Sequence, residues 1–282
     1  MENFSSHPLY RKHDLDSAMS SLWGFYKTRF PVLFLISFIM ALVIQSSMLL
    51  FDYDSLMKVT DPAEMLNKIR SMSCPMAVIS LISLLFITSS QYYVIYNPVD
   101  SSVTIFTSAY KSLRYYLLYL IIMVLFSVFA SLAMIFGLML LVVGIFFAVI
   151  YVMTIYFFIL PVLMTEGPYI ANAISRSFTL AHRNFWQNIG WVAVFFVIIL
   201  VASMVLNTII MLPFTGKIMS SITNPEEAVN AISFFQNPVY IVLAALVSAL
   251  FYPLIPILGT ILYFNGKARE EEVSLPDRDS TI

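Results

Sequence analysis

One cysteine, eight glycines and very little charge set the limits of this 282-residue chain. Cys74 stands alone, so no intrachain disulfide can form and thiol redox chemistry lacks a second partner. So few glycines leave little material for a phosphate-cradling loop, and no Gly-x-Ser-x-Gly or His-Glu-x-x-His motif occurs. The histidines are His7, His13 and His182, and only His7 and His13 stand near each other, in an N-terminal segment that reads as a mobile tail. No metal site and no cofactor is therefore expected. Charged residues make up 11% of the chain, against roughly 25% in an ordinary soluble domain. That shortage excludes a soluble enzyme, and no nucleic-acid partner is expected.

What the chain has is oil: 60% hydrophobic residues, with 24 Phe and 16 Met. Between Arg114 and Glu166 lie 51 residues without a charge, far longer as one helix than the roughly 30 Å hydrocarbon layer, so this stretch crosses a bilayer twice. Four further charge-free intervals, Phe30 to Phe51, Ser71 to Val99, Asn184 to Gly216 and Ala228 to Gly266, each suffice for one crossing. The reading is an all-α integral membrane protein with six transmembrane helices. The spans are placed at Phe30 to Phe51, Cys74 to Tyr96, Tyr115 to Phe136, Leu140 to Thr165, Phe185 to Leu212 and Val239 to Phe264, with Gly137 at the turn between the third and fourth. Residues 1–29 form an N-terminal segment, 30–264 the membrane domain and 265–282 a polar tail. The first thirty residues lack an apolar core followed by a small-residue cleavage site, so a retained anchor is expected in place of a cleaved signal peptide.

Basic residues divide unevenly across these spans. Arg11, Lys12, Lys27, Arg29, Lys111, Arg114, Arg176, Arg183, Lys267, Arg269 and Arg278 fall on one side, and Lys58, Lys68, Arg70 and Lys217 on the other, where Asp52, Asp54, Asp61 and Glu64 partly balance them. The positive-inside rule then places both termini in the cytoplasm. On the outer side, Asp61-Pro62-Ala63-Glu64 and Asn224-Pro225-Glu226-Glu227 each offer a cap, a proline for the first helical position and a Glu to close the capping box. Met65, Leu66, Ile69 and Met72 after the first, and Val229, Ile232 and Phe235 after the second, would face one way, predicting two short helices on the outer surface.

The segments before the odd-numbered spans resemble one another. Ala18 to Lys27, Val103 to Lys111 and Ala173 to Arg183 each carry apolar residues every three or four positions and end in a basic residue. This predicts three parallel pseudo-repeated hairpins, each preceded by an inner interfacial amphipathic helix, related by an axis along the membrane normal. Lys27, Arg29, Lys111, Arg114, Arg176 and Arg183 become candidate contacts to lipid headgroups, each worth about 1 kcal/mol near an anionic leaflet. Arg176 and Arg183, seven apart, share a helix face with Asn172 and Thr179.

The run Glu166-Gly167-Pro168, with Ala173 to Leu180, Asn184-Phe185-Trp186 and Tyr263-Phe264-Asn265-Gly266-Lys267-Ala268-Arg269, resembles the membrane domain of glycerophosphoryl diester phosphodiesterases and related stand-alone six-helix bacterial membrane proteins. The resemblance covers most of the chain in topology and about thirty residues in recognisable motif. In the phosphodiesterases a soluble catalytic domain is attached, whereas this chain ends eighteen residues after Phe264. The resemblance thus implies a protein of the bacterial inner membrane and does not imply phosphodiester hydrolysis.

No charged residue falls inside a span, where proton relays and intramembrane catalysis place them. Uncharged polar groups do: Gln45, Gln91 and Asn207 are candidates to line a path, weighed against hydrogen bonding between helices. Pro161, Pro253 and Pro256 break the fourth and sixth spans, a feature of kinks and of transporter sites alike. Glu166 ends the fourth span within reach of Arg176 or Arg183, and Glu270-Glu271-Glu272 reads as part of a disordered tail. The expected role is non-enzymatic, a scaffold or accessory subunit working with membrane lipids or a protein partner in the membrane; the alternative is a permease or lipid-handling transporter.

Overall fold

The structure, a computed structural model, describes residues 4–50, 59, 61–216 and 234–274. Among these no strand occurs. The helices are α1 (Leu15–Thr28), α2 (Phe30–Ser46), α3 (Pro62–Tyr96), α4 (Ile105–Met139), α5 (Leu141–Thr165), α6 (Ile170–Arg183), α7 (Phe185–Met211), α8 (Pro238–Phe251) and α9 (Leu254–Ser274). Six helical stretches are long and apolar enough to cross a membrane: Phe30–Leu50, Pro62–Tyr96, Ile105–Met139, Val143–Thr165, Phe185–Phe214 and Pro238–Glu272. The expected number and order of spans hold. Lys58, Asp52, Asp54, Lys217, Asn224 to Glu227, Val229, Ile232 and Pro276 to Arg278 lie outside the described residues.

The chain forms two compact units. The first comprises Met1–Phe30, Ile87–Val197 and Pro253–Ile282, the second Pro31–Phe86 and Ile198–Tyr252. At the centre of the first is α5, which packs against α4, α6 and α9. Its residues Phe157 to Met164 are all buried, as a helix apolar on every face requires. Pro161 has no N–H to give the Phe157 carbonyl one turn back. Gly259 of α9 fits against that oxygen: a Cβ there would stand 2.8 Å from it. Tyr96 Oη donates to the Met164 carbonyl at 2.7 Å, satisfying an end carbonyl of α5. In the second unit Tyr240 and Ala244 of α8 pack with Ile210, Met211 and Phe214. Gln236 Nε2 donates to the Met48 carbonyl at 3.1 Å.

Several local expectations change. Gly137 does not make the third-to-fourth turn, which falls at Leu140. Gly137 instead marks a close crossing, because a Cβ there would lie 2.8 Å from the Gly144 carbonyl. The start at Asp61 is real, with Asp61 Oδ1 accepting from the Ala63 amide at 3.0 Å. No separate surface helix follows it, however: α3 runs unbroken for 35 residues through Pro75, one lost hydrogen bond being too little to stop it.

The three segments before the odd spans also differ. Helix α1 stops at Arg29, whose backbone leaves the helical region and whose amide donates to the Phe25 and Tyr26 carbonyls at 3.3 and 3.2 Å. Helix α6 stops at Asn184, where Asn188 Nδ2 donates to the Leu180 and Ala181 carbonyls at 3.1 Å each. Nothing comparable stands between Lys111 and Tyr115, so the second segment is no separate helix but the first turns of the 35-residue α4.

Candidate functional site

Helix α5 ends at Glu166, where Gly167 takes a left-handed φ of 117° and Pro168 prevents continuation. This turn sends the chain back as α6 and leaves the Glu166 carboxylate at the junction. Arg176 Nε donates to its two oxygens at 3.3 and 3.1 Å. Tyr263 Oη donates to Oε1 at 3.1 Å, and Lys267 Nζ lies 3.4 Å from the same atom. Tyr263, Lys267 and Glu270 stand four and three apart on α9 and so share a face. Glu270 binds the second branch of Arg176 and, at 2.8 Å, Arg183 Nη1. Three cations against two carboxylates leave one positive charge on the cluster.

These groups are largely withdrawn from solvent, the side chains of Glu166 and Glu270 being 15% and 19% exposed. The Glu270 carboxylate accepts from Arg176 and pairs with Arg183 Nη1 at 2.8 Å, with Lys267 Nζ 3.9 Å away. Beside the cluster is a half-open cavity of about 520 Å³, whose polar wall includes Ser5, Tyr10, Asn172, Glu166, Lys267 and Glu271.

One wall of that cavity comes from the N-terminal segment, which is not a mobile tail. His7 is 2% exposed. Its Nδ1 accepts from the Leu9 amide at 3.1 Å, which requires the proton on Nε2, facing the Val94 carbonyl at 3.1 Å. Burial, reinforced by the charge of Arg29 and opposed by the Val94 hydrogen bond, lowers its pKa from 6.5 to about 4. Asn265 Oδ1 accepts from the His13 amide at 2.9 Å, and Arg269 Nη2 donates to the His13 carbonyl at 3.2 Å.

The Glu270-Glu271-Glu272 run is likewise helical, not disordered. Consecutive helical residues point about 100° apart. Glu270 therefore meets Arg176 and Arg183, Glu271 accepts from Tyr10, and Glu272 pairs with Lys12. Sequence reasoning missed the burial of His7 and His13 and the separate partners of Glu270, Glu271 and Glu272. The one available signal was the apolar Leu9-Tyr10 pair set among the polar residues around it.

The proposed headgroup residues separate into three environments. Arg176 and Arg183 do share a face, but that face meets Glu270. Arg29 Nε donates to Asn97 Oδ1 at 3.1 Å, with its guanidinium 4.4 Å above the Phe25 ring. Lys27, Lys111 and Arg114 are exposed, and the last two line a second cavity of about 610 Å³ with Tyr92, Tyr110, Leu113 and Tyr115.

Of the polar residues within spans, Gln91 is buried and donates to Thr260 Oγ1 at 2.8 Å and the Pro256 carbonyl at 3.3 Å. Asn207 Nδ2 turns back to its own helix at the Ser203 carbonyl, 2.7 Å away, and Gln45 is half-buried. Among the described residues no group of three or more His, Cys, Asp or Glu converges to hold a metal.

Six helices long and apolar enough to cross a membrane fit the class of multi-pass α-helical membrane proteins. No protein-family model matches the chain, and neither the curated proteins nor the solved structures contain a match to it.

Proposed function

We propose that this is a non-enzymatic multi-pass protein of the bacterial inner membrane, with both termini cytoplasmic, acting as a scaffold or accessory subunit for a membrane partner or for lipid organisation. One observation carries the reading: the charged groups of Glu166, Arg176, Arg183, Lys267 and Glu270 pair with one another in a clamp that ties α5, α6 and α9 together. A catalytic or ion-coupling site keeps a carboxylate or base accessible to a substrate or proton. Here Glu166 and Glu270 are committed to arginines. The likeness between α1–α2 and α6–α7, each a short helix, a one-residue joint and a span, supports parallel repetition with interfacial helices in the first and third hairpins. The resemblance to stand-alone six-helix bacterial membrane proteins belongs to the same proposal, as does the basic excess on the side of both termini.

The test is reconstitution into proteoliposomes with parallel flux assays for ions, small solutes and lipid analogues, alongside crosslinking in native membranes. A scaffold gives flux equal to empty vesicles and a reproducible crosslinked partner or lipid shell. Flux that is lost in Gln45→Leu or Asn207→Leu protein of unchanged stability overturns it. The permease alternative draws support from the break between α8 and α9 at Tyr252-Pro253, since discontinuous spans form many transport sites.

A further inference from the structure

Basic residues at the ends of helices serve different ends in the three related segments. In the third, Arg176 and Arg183 are neutralised by Glu166 and Glu270. In the first, Arg29 is spent on Asn97 and Phe25. In the second, Lys111 and Arg114 make no ion pair among the described residues, yet they line a cavity of about 610 Å³. Asp100 is the carboxylate whose charge interacts with Lys111, and it is held by the Ser102 amide at 2.9 Å and Ser102 Oγ at 2.6 Å.

The position of this pair on α4 selects the ligand. Ser108, Ser112, Tyr115 and Tyr119 form the buried face. Phe106, Tyr110, Leu113 and Leu117, 51–86% exposed, form the opposite face. Residues 111 and 114 fall on the flank between them, at 100° per residue. A ligand that meets both cations therefore also lies against outward-facing apolar side chains that continue down the helix as Ile121, Val124 and Leu125. A free anion satisfies only the first condition. An amphiphile with an anionic head and acyl chains satisfies both, with the planar guanidinium of Arg114 suited to two phosphate oxygens and Lys111 adding a point charge. Tyr92 and Tyr115, buried lining residues whose rings meet at a tilt of 36° with centroids 6.4 Å apart, give the cavity the amphipathic lining of a membrane interface.

We propose that Lys111 and Arg114 form a site for the phosphodiester headgroup of an anionic phospholipid, whose acyl chains lie along Leu113, Leu117 and Ile121. The site rests on the membrane reading above and gives lipid organisation a specific location.

The test uses the full-length protein in nanodiscs of phosphatidylcholine containing a minor fraction of phosphatidylglycerol, with retained lipid counted by native mass spectrometry after release into mild detergent. Wild-type protein is expected to retain phosphatidylglycerol in preference to phosphatidylcholine. Lys111→Gln/Arg114→Gln protein should lose that preference by roughly twenty- to thirtyfold, while Lys27→Gln, which removes an exposed cation without a cavity, keeps it. Thermal midpoints are compared first, and if the double change does not fold the single Lys111→Gln protein takes its place, with an expected loss of roughly fivefold. Equal retention by wild-type and double-variant protein overturns the site, as does an equal loss in Lys27→Gln. Displacement of the lipid by millimolar inorganic phosphate overturns the lipid assignment in favour of a free anion. Solute flux in the separate assay overturns the scaffold and leaves this result standing.

Discussion

Replacing Gly259 by alanine tests the central packing of the first unit, because the contact it disturbs has a backbone atom on its far side. An added Cβ would lie 2.8 Å from the Phe157 carbonyl oxygen and 3.7 Å from the Phe157 ring. That carbonyl belongs to a stretch of α5 buried on every side, and it already lacks its helical donor because Pro161 stands one turn later. Alanine in place of glycine gains up to about 1 kcal/mol of helix propensity. Forcing a methyl into a filled interior costs about 1–3 kcal/mol, and the high end applies where the obstacle is backbone. The expected net loss is about 1–2 kcal/mol.

Two other glycines calibrate the scale. Gly24 has nothing within 4 Å of an added Cβ, so Gly24→Ala should stabilise α1 by about 0.5–1 kcal/mol. Gly266 would meet only the end of a flexible side chain, Leu180 Cδ2 at 3.3 Å, and its alanine variant should be near neutral. Unfolding of the purified protein by a denaturing detergent in mixed micelles should order the variants as Gly24→Ala, Gly266→Ala, wild type or its equal, and Gly259→Ala last. Gly259→Ala protein as stable as Gly24→Ala would refute the argument that α5 and α9 meet backbone to backbone at this point.

Glu270→Gln leaves Arg176, Arg183 and Lys267 facing Glu166 alone. With Arg176 and Glu270 22% and 19% exposed and Arg183 and Lys267 36% and 30% exposed, the loss should be about 2 kcal/mol, below the roughly 3–5 kcal/mol of a fully buried pair, while Glu64→Gln, at an exposed 3.5 Å pair with Lys68, should change detergent unfolding by less than about 0.5 kcal/mol. His7 sets a pH dependence: its folded pKa of about 4 lies below the unfolded 6.5, so the unfolded chain takes up the proton first. Stability should therefore fall as the pH drops from 6.5 towards 4, by about 3 kcal/mol in all, and level off below. His7→Gln protein, compared with wild type at neutral pH and near pH 4, should lose most of that difference, and an unchanged slope would remove His7 as its source.

The six spans were legible because the bilayer imposes a requirement on each segment by itself: enough apolar residues without a charge. Joints were legible only where a local residue decides them. Arg29 caps α1 and Asn184 caps α6, whereas Ser112, Leu113 and Arg114 form no cap, and the repeat read from apolar spacing predicted a break there that the chain does not make. Polar residues were the hardest, since their roles depend on what another helix brings opposite them. Gln91 carries no mark of Thr260, which is 169 positions away. Three successive glutamates look like a solvated tail until a helix turns each towards a different partner on α6 and the N-terminal segment. A charge in the sequence therefore does not define a site, because most charges at this end of the first unit are spent on one another. What distinguishes Lys111 and Arg114 is that their surroundings supply a cavity and an apolar flank but no carboxylate within ion-pair distance among the described residues, Asp100 being turned to Ser102, and any ligand must be sought where that balance is left open.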